Sequence, residues 1–270
     1  MLLLVALDGD PWAPVLSRVA QEAGTEVRLV DDLRELRFDV RVDRRGNPRC
    51  AVRTVRGDVP EGIVFRGGTV LAQDGGFGGS EHLAAWWALL AAFDGPVVNR
   101  PTRHGPLLTV DRLRTRRAAG VGVSAWTLRE PWPAVPASRA VPAVTVVRRA
   151  ADHRPVAPSG PDGCSFVADE TLEVIESTAA TVLWVLIAGE RFLVPAGKGT
   201  LDLPGEAADR LRRILEPDLP ALARLVVEFD REGDCRVLDA DPLPGTDLLG
   251  EAVQDAASAV LACVTRGAAP

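Results

Sequence analysis

The sequence predicts an α/β (α+β) protein, because it opens on a βαβ pattern and closes on a β-hairpin. Residues 2–7 (LLLVAL) form a short, continuous apolar run, which is typical of a buried strand. Residues 11–23 have the apolar spacing of a helix that a glycine ends, and residues 26–30 predict a second strand. Near the other end, residues 225–245 (LVVEFDREGDCRVLDADPLPG) predict two strands joined by a turn at Gly233.

The first hundred residues continue this mixture of strands and helices. Residues 38–42 and 50–55 flank the turn sequence RRGN and predict a hairpin, and residues 62–66 (GIVFR) predict a buried strand. Residues 67–79 (GGTVLAQDGGFGG) contain too much glycine for regular structure, so we expect a loop. An apolar helix follows over residues 81–93, and a Gly-Pro dipeptide ends it.

A change of pattern near residue 100 predicts a domain boundary. A short strand at 97–99 precedes it, and proline-rich and glycine-rich segments become frequent after it. The elements predicted beyond it are helices at 110–119, 205–215 and 248–264, strands at 124–128 and 144–149, and a hairpin at 181–195. We therefore expect one domain over residues 1–99 and a second over residues 100–270.

Composition excludes several classes of function. The chain has 270 residues and a formal net charge of −6, so it offers no basic field for a nucleic acid. No apolar run reaches the ~18 residues that span a membrane, and the first residues, MLLLVAL, lack the basic region and cleavage site of a signal peptide. Four scattered cysteines predict neither a zinc site nor a disulfide framework. A cytoplasmic location is therefore expected.

Three acids lie at one end of the last hairpin. Glu228 is on its first strand, and Asp239 and Asp241 are two residues apart on its second strand, so these two side chains aim to one face. Carboxylate oxygens in such an array suit Mg²⁺, which usually also takes water and substrate phosphates. The alternative interpretation is a solvated hairpin end, because acids commonly occupy turns.

Segments at the start and at the end of the second domain bear a family resemblance. GPVVNRP (residues 95–101), followed by RAAGVGVSAWTL (residues 117–128), resembles the entry into an ATP-grasp domain, and Asn99 fits its first motif. VVEF and RVLDADPLPG resemble the closing motif of that family. There Glu228, Asp239 and Asp241 fall on the positions that bind the magnesium ions bridging ATP phosphates, with each residue type changed.

The first domain bears a related resemblance. Residues 8–32, the GIVFRGG strand and the helix SEHLAAWWALL are similar to the pre-ATP-grasp domain of peptide-maturing ligases, including graspetide synthetases and relatives of RimK. The resemblance implies an ATP-grasp-like fold in which the N-terminal pre-ATP-grasp βαβ domain (1–99) precedes a two-lobed ATP-grasp domain (100–270). Its central lobe would span about residues 100–175 and its C-terminal lobe about residues 176–270.

The resemblance also implies an activity and a set of site residues. A carboxylate of a peptide, an amino acid or another small molecule would be activated by ATP as an acyl phosphate and captured by an amine or hydroxyl, with Mg²⁺ neutralising the phosphates. Phosphate-contacting lysines of the family are replaced here, so Arg148 and Arg149 are expected at the phosphate and Arg66 on the substrate side. The other expected nucleotide contacts are Arg112, Glu173, Ile175 and Lys198, the last being the only lysine of the chain.

Departures from the family's pattern leave a second interpretation open. Asp111 and Arg112 stand where one phosphate-binding lysine is usual, and Trp184 or an adjacent apolar residue stands where an arginine is usual. The chain could thus be a catalytically degenerate homologue that binds a peptide or a partner enzyme. A ligand sensor on the same scaffold is a third interpretation, since fold does not fix function. The apolar helices at 84–93 and 248–264 could also serve a homodimer.

Overall fold

The computed structural model describes most of the chain. The described residues are 1–6, 8–46, 48–66, 77–101, 127–129, 144–149, 155–156, 172–177, 181–196, 199–216, 219–229, 235–241, 244–246 and 249–265. They form three β-sheets, a separate hairpin and four α-helices. The predicted helix at 110–119 lies outside the described residues.

A four-stranded parallel sheet forms the N-terminal part of the molecule. Its order is β2-β1-β5-β6, with the strands β1 (Leu2–Val5), β2 (Val27–Val30), β5 (Gly62–Phe65) and β6 (Val97–Val98). All four residues of β1 and of β5 are buried. Both strands are continuous apolar runs, as expected for parallel strands that are covered on both faces.

Helices cover the two faces of this sheet. On one face Leu2, Leu4 and Val64 pack with α1 (Trp12–Glu22) and with the last helix, α4 (Val253–Thr265). On the other face Leu3, Val5, Ile63 and Phe65 pack against Trp86 and Leu90 of α2 (Phe77–Ala92). The βαβ start predicted from the sequence is therefore present.

The second helix begins earlier than the sequence pattern predicts. It starts at Phe77, whereas the glycine-rich stretch was expected to remain a loop up to residue 79. Gly78 and Gly79 fall in its first turn. The first four N–H groups of a helix have no partner within the helix, so weak helix formers are tolerated better there than in the interior.

A β-hairpin packs against α2 at the side of the sheet. It consists of β3 (Leu36–Val42) and β4 (Pro48–Thr54), paired antiparallel. Phe38 meets the Trp86 ring edge to face with the centroids 4.5 Å apart. Burial raises the pKa of the Cys50 thiol, with smaller contributions from nearby aspartates. The end of the hairpin at Leu36 is thus part of the apolar core, whereas residues 39–46, toward the turn, are mostly exposed.

The C-terminal part is built on a five-stranded antiparallel sheet. Its order is β13-β12-β11-β14-β15, with the strands β11 (Thr181–Ala188), β12 (Arg191–Ala196), β13 (Gly199–Asp202), β14 (Leu222–Phe229) and β15 (Cys235–Asp241). The helix α3 (Gly205–Leu215) buries Leu211 and Leu215 against one face, together with Leu225 and Val227. The opposite face contributes Leu186 and Leu222 to a second apolar core and also carries the site described below.

A smaller antiparallel sheet comes from the middle of the chain. Its order is β7-β10-β8-β9, with the strands β7 (Thr127–Arg129), β8 (Val144–Arg149), β9 (Pro155–Val156) and β10 (Leu172–Ser177). The strand at 144–149 has the predicted bounds, whereas no strand was predicted for β10, which contains the expected nucleotide contacts Glu173 and Ile175.

The N-terminal and C-terminal parts share one apolar core. It joins Leu4 and Leu16 to Leu186 and Leu222 of the five-stranded sheet and to Val260 of α4. Of the two helices that the sequence offered for a homodimer, α2 packs Trp86 and Leu90 within the chain and α4 packs Val260 there. Because the core crosses residue 100, the two predicted domains are held together through packed side chains.

Candidate active site

The last two strands bring three acids to the face of the five-stranded sheet that lies opposite α3. Residues Cys235 and Val237 of β15 point into the core beside α3, and the pairing with β14 then shifts between Val226 and Val227. This bulge restores Ala240 to the core face. Asp239 and Asp241 consequently join Glu228 on the opposite face, as expected where a bulge re-aims side chains.

Each acid already has a polar neighbour. Arg236 Nε lies 2.6 Å from Glu228 Oε1, and Arg224 Nη2 lies 3.0 Å from Asp241 Oδ2. Asp239 Oδ1 accepts a hydrogen bond of 2.7 Å from the backbone N–H of Ala240. Within the described residues, no three His, Cys, Asp or Glu side chains converge as a metal-binding group. The predicted metal ligands therefore share a face without forming a closed cage.

The carboxylates of Glu228 and Asp239 nevertheless fit a magnesium ion that is also bound to a substrate phosphate. Mg²⁺ usually binds through one or two protein carboxylates plus substrate phosphates and water, so it does not need an all-protein cage. Glu228 and Asp239 are each 4% exposed, which keeps both carboxylates largely out of bulk water. Two acids on one sheet face therefore suffice for this mode of binding.

The structure adds one residue that the sequence interpretation did not identify. Arg224 lies on β14, and alternation along the strand places it on the same face as Glu228. Its guanidinium group stands 4.8 Å above the ring of Trp184, which is 41% exposed. Arg224 thus places a cation over Trp184, which is one of the residues expected to stand where the resembling family has an arginine. Counting residues of β14 in steps of two from Glu228 places Arg224 on this face, whereas its contacts with Asp241 and Trp184 arise only from the pairing of the strands.

Arg66 connects the N-terminal sheet to this region. It follows β5 directly, and its side chain forms an ion pair with Asp10, Nε to Oδ2 at 3.2 Å. Its Nη2 donates a hydrogen bond of 3.0 Å to the carbonyl oxygen of Pro244, to which Trp12 Nε1 also donates at 2.8 Å. The residue is only 3% exposed. A cation that is almost fully buried therefore holds the chain just beyond β15.

The electrostatic environment of Arg66 links it to the acids. Burial lowers its pKa, and the charges of Asp10 and Asp241 act in the opposite direction. Asp10, Arg66, Asp241 and Arg224 thus form a series of alternating charges from the N-terminal part to the five-stranded sheet. Arg66 Nη1 is buried and has no hydrogen-bond partner among the described residues. An additional acceptor would complete this site.

Asn99, the residue of the first family motif, has a clear structural place. It is 7% exposed and has a positive φ of 56°. Its Nδ2 donates to the carbonyl oxygen of Leu222 at 2.6 Å, and its Oδ1 accepts from the Leu222 N–H at 2.9 Å. The amide therefore takes over backbone pairing at the start of β14 and ties that strand to the end of the N-terminal sheet.

Replacing Asn99 with alanine is expected to reduce the free energy of unfolding by about 3 kcal/mol, since two buried backbone groups lose their partners. Denaturant unfolding monitored by tryptophan fluorescence measures this. Asn99→Asp keeps an acceptor for the Leu222 N–H but opposes the Leu222 carbonyl, so its loss should be similar or larger. An alanine variant within the error of the wild type would contradict the bridging role.

Four of the other predicted phosphate and nucleotide contacts lie on two strands of the middle sheet. Arg148 pairs in register with Glu173, and Arg149 pairs with Leu172 across β8 and β10. Ile175 lies further along β10, opposite Val146. The sheet thus places the expected phosphate contacts, Arg148 and Arg149, on a strand next to the one that carries Glu173 and Ile175. Arg112 and Lys198 lie outside the described residues, as do the side chains of Arg148, Arg149, Glu173 and Ile175.

Solved structures with this architecture are known. The chain is similar over 98% of its length to the whole of macrocyclase MdnC from Microcystis aeruginosa MRC, solved bound with precursor peptide MdnA, with a TM-score of 0.63 and 11% identity. ATP-grasp ligase PsnB, complexed with precursor peptide PsnA2 and AMPPNP, matches with a TM-score of 0.62 and 13% identity, covering 98% of both chains. A RimK domain ATP-grasp protein from Sphaerobacter thermophilus DSM 20745 matches with a TM-score of 0.52 and 18% identity, covering 97% of this chain and 98% of its own.

These similarities define the class of fold. The chain has the fold of ATP-grasp ligases, and the fold class predicted from the sequence is confirmed. The similar proteins include peptide-modifying ligases, which confirms the resemblance at the level of fold. No family model and no curated protein sequence matches this chain. In the part of the chain that the structure describes, no helix is both long and apolar enough to cross a membrane.

Proposed function

We propose that this protein is an ATP-dependent ligase that activates a carboxylate of a peptide or amino acid as an acyl phosphate, for capture by an amine or hydroxyl. The observation that carries the proposal is the acidic sheet face with a buried arginine beside it. Glu228 and Asp239 lie on that face, and Arg66 interacts electrostatically with Asp241 at its edge. A full-length fold shared with PsnB, solved with ADP, Mg and a minimal precursor variant, supports the same conclusion.

The two ends of this site would have different tasks. Glu228 and Asp239 would hold Mg²⁺, which when bound neutralises nucleotide phosphates and the charge of the transferred phosphoryl group. Arg148 and Arg149 would bind phosphate from the middle sheet, in place of lysines. Arg66 would hold the substrate carboxylate through Nη1, the buried donor that lacks a partner among the described residues. Arg66 would thus bind the substrate, whereas Glu228 and Asp239 would bind the metal.

Calorimetric titration of the full chain with ATP in the presence of Mg²⁺ tests the proposal. Binding is expected with magnesium and should weaken when EDTA is added, because the carboxylates alone repel the phosphates. ADP release should then require a peptide or amino acid that supplies the carboxylate. The proposal would be contradicted if the folded protein showed no heat of binding at millimolar nucleotide, which would mean a Kd weaker than about 1 mM.

The ion pairs on the acidic face favour a second candidate function. Glu228 is paired with Arg236 and Asp241 with Arg224, so part of the negative charge that would bind metal is already neutralised. A catalytically degenerate homologue that binds a peptide or a partner enzyme would retain such pairs without using them. On this hypothesis Asp239→Ala leaves biological activity unchanged, whereas changes in residues 67–79 abolish partner binding. Equal loss from both changes would count against it.

A further inference from the structure

The hairpin β3–β4 carries an unusual concentration of positive charge. Between Leu36 and Thr54 the sequence has six arginines and two aspartates, on a chain whose net charge is −6. All six arginines are exposed: Arg37, Arg41, Arg44, Arg45, Arg49 and Arg53. The hairpin is thus a basic projection on an acidic protein.

The strand register places like charges directly opposite each other. Arg37 pairs with Arg53 and Arg41 pairs with Arg49, so all four point to one face of the hairpin. Asp39 is the acid between them, opposite Ala51. Directly opposed like charges destabilise an antiparallel pair. Two such pairs in one short hairpin oppose folding, and an anion bound along this face would relieve the repulsion.

Two of the four arginines on this face have no carboxylate partner among the described residues. Arg53 pairs with Asp39 at 3.0 Å, and Arg49 approaches Asp94 at 3.6 Å. Arg37 and Arg41 form no ion pair with any residue that the structure describes. Both are therefore available to a ligand.

The other face of the hairpin is apolar and becomes exposed toward the far end. Phe38 packs on Trp86, but Val40 is 53% exposed and Val42 is 66% exposed. Strand alternation places these valines on the face opposite the arginines, so a chain that follows the arginine face contacts a surface that is basic and exposed.

We propose that the β3–β4 hairpin binds an acidic peptide segment along its arginine face. A peptide fits better than a nucleic acid, because a polyphosphate backbone would be repelled by the rest of this acidic chain, whereas a short acidic segment contacts the hairpin alone. The identity of the partner rests on the proposed function, in which a peptide supplies the carboxylate. The hairpin would then hold the peptide at a site separate from the acidic sheet face.

Fluorescence anisotropy with the full chain and no nucleotide tests this. The probe is a fluorescein-labelled peptide of alternating glutamate and valine. Its affinity should fall as salt is added, and R37Q/R41Q should weaken it by about tenfold or more. That variant breaks both like-charge pairs and no ion pair seen among the described residues. Its melting temperature should therefore equal or exceed that of the wild type, which separates lost binding from lost folding.

The matched control is R18Q/R213Q, which changes two exposed arginines on α1 and α3 and gives the same net charge. It should bind the probe like the wild type. Equal losses in both variants would overturn the proposal in favour of general charge attraction. Equal affinity for a glutamine-for-glutamate probe, or tighter binding of oligouridylate, would also overturn it. Because nucleotide is absent, these outcomes are independent of whether the acidic face binds MgATP.

Discussion

Replacing Asp239 with asparagine is expected to lower magnesium-dependent ADP release by about a hundredfold, which corresponds to about 2.7 kcal/mol of transition-state stabilisation. The substitution keeps the shape of the side chain, and its carbonyl oxygen can still accept the 2.7 Å hydrogen bond from the Ala240 N–H. Folding should therefore be retained. The charge that would hold Mg²⁺ is removed, so the apparent affinity for magnesium should fall together with the rate.

The control for this variant is Glu206→Gln. Glu206 is exposed on α3, on the opposite face of the same sheet, and loses one negative charge in the same way. Its turnover should match that of the wild type. Steady-state ADP release as a function of magnesium concentration measures both variants. Wild-type turnover in Asp239→Asn would exclude the proposed metal role, whereas no ADP release from the wild type itself would favour the non-catalytic candidate function.

Replacing Arg66 with methionine is expected to reduce the free energy of unfolding by about 3–5 kcal/mol. The variant leaves Asp10 without its 3.2 Å partner and removes the hydrogen bond to the Pro244 carbonyl. A buried carboxylate without compensation destabilises the fold far more than a broken surface pair. Urea unfolding monitored by circular dichroism gives the value.

A second substitution identifies the cause of that loss. Asp10→Leu combined with Arg66→Met removes both charges, so much of the stability should return, and the double-mutant cycle should show strong coupling. The comparison variant is Arg53→Met, whose 3.0 Å partner Asp39 is about half exposed, and it should lose less than about 1 kcal/mol. If Arg66→Met were no more destabilising than Arg53→Met, the buried ion pair and the hydrogen bond to Pro244 would not stabilise the fold as proposed.

Much of the secondary structure follows from local sequence. The strand at 144–149 and the helix at 205–215 have the bounds that their apolar periodicity predicts. The start of α2 does not, because glycines in a first turn cost less than glycines in a helix interior. The strand β13 was missed, since four residues at the edge of a sheet show little periodicity.

The residues of the candidate site were likewise predicted only in part. Glu228, Asp239 and Asp241 were predicted from two strands and a turn, and their common face agrees with strand alternation once the bulge is included. Arg224 was not identified, because its role depends on Asp241 across the strand pair and on the Trp184 ring from a third strand. Neither contact is visible in the spacing of residues along β14.

The sequence by itself determined the order of the elements, because that order follows from short-range periodicity. It also determined the ATP-grasp-like fold and the place of the three acids on the last hairpin, because both follow from motifs. Only the tertiary structure decided the charge balance of the site. It brings Arg66 from the end of β5 toward Asp241 and stacks Arg224 on Trp184. Coulombic and ring interactions depend on distance in space, and residues far apart in the chain meet only when the sheets pack.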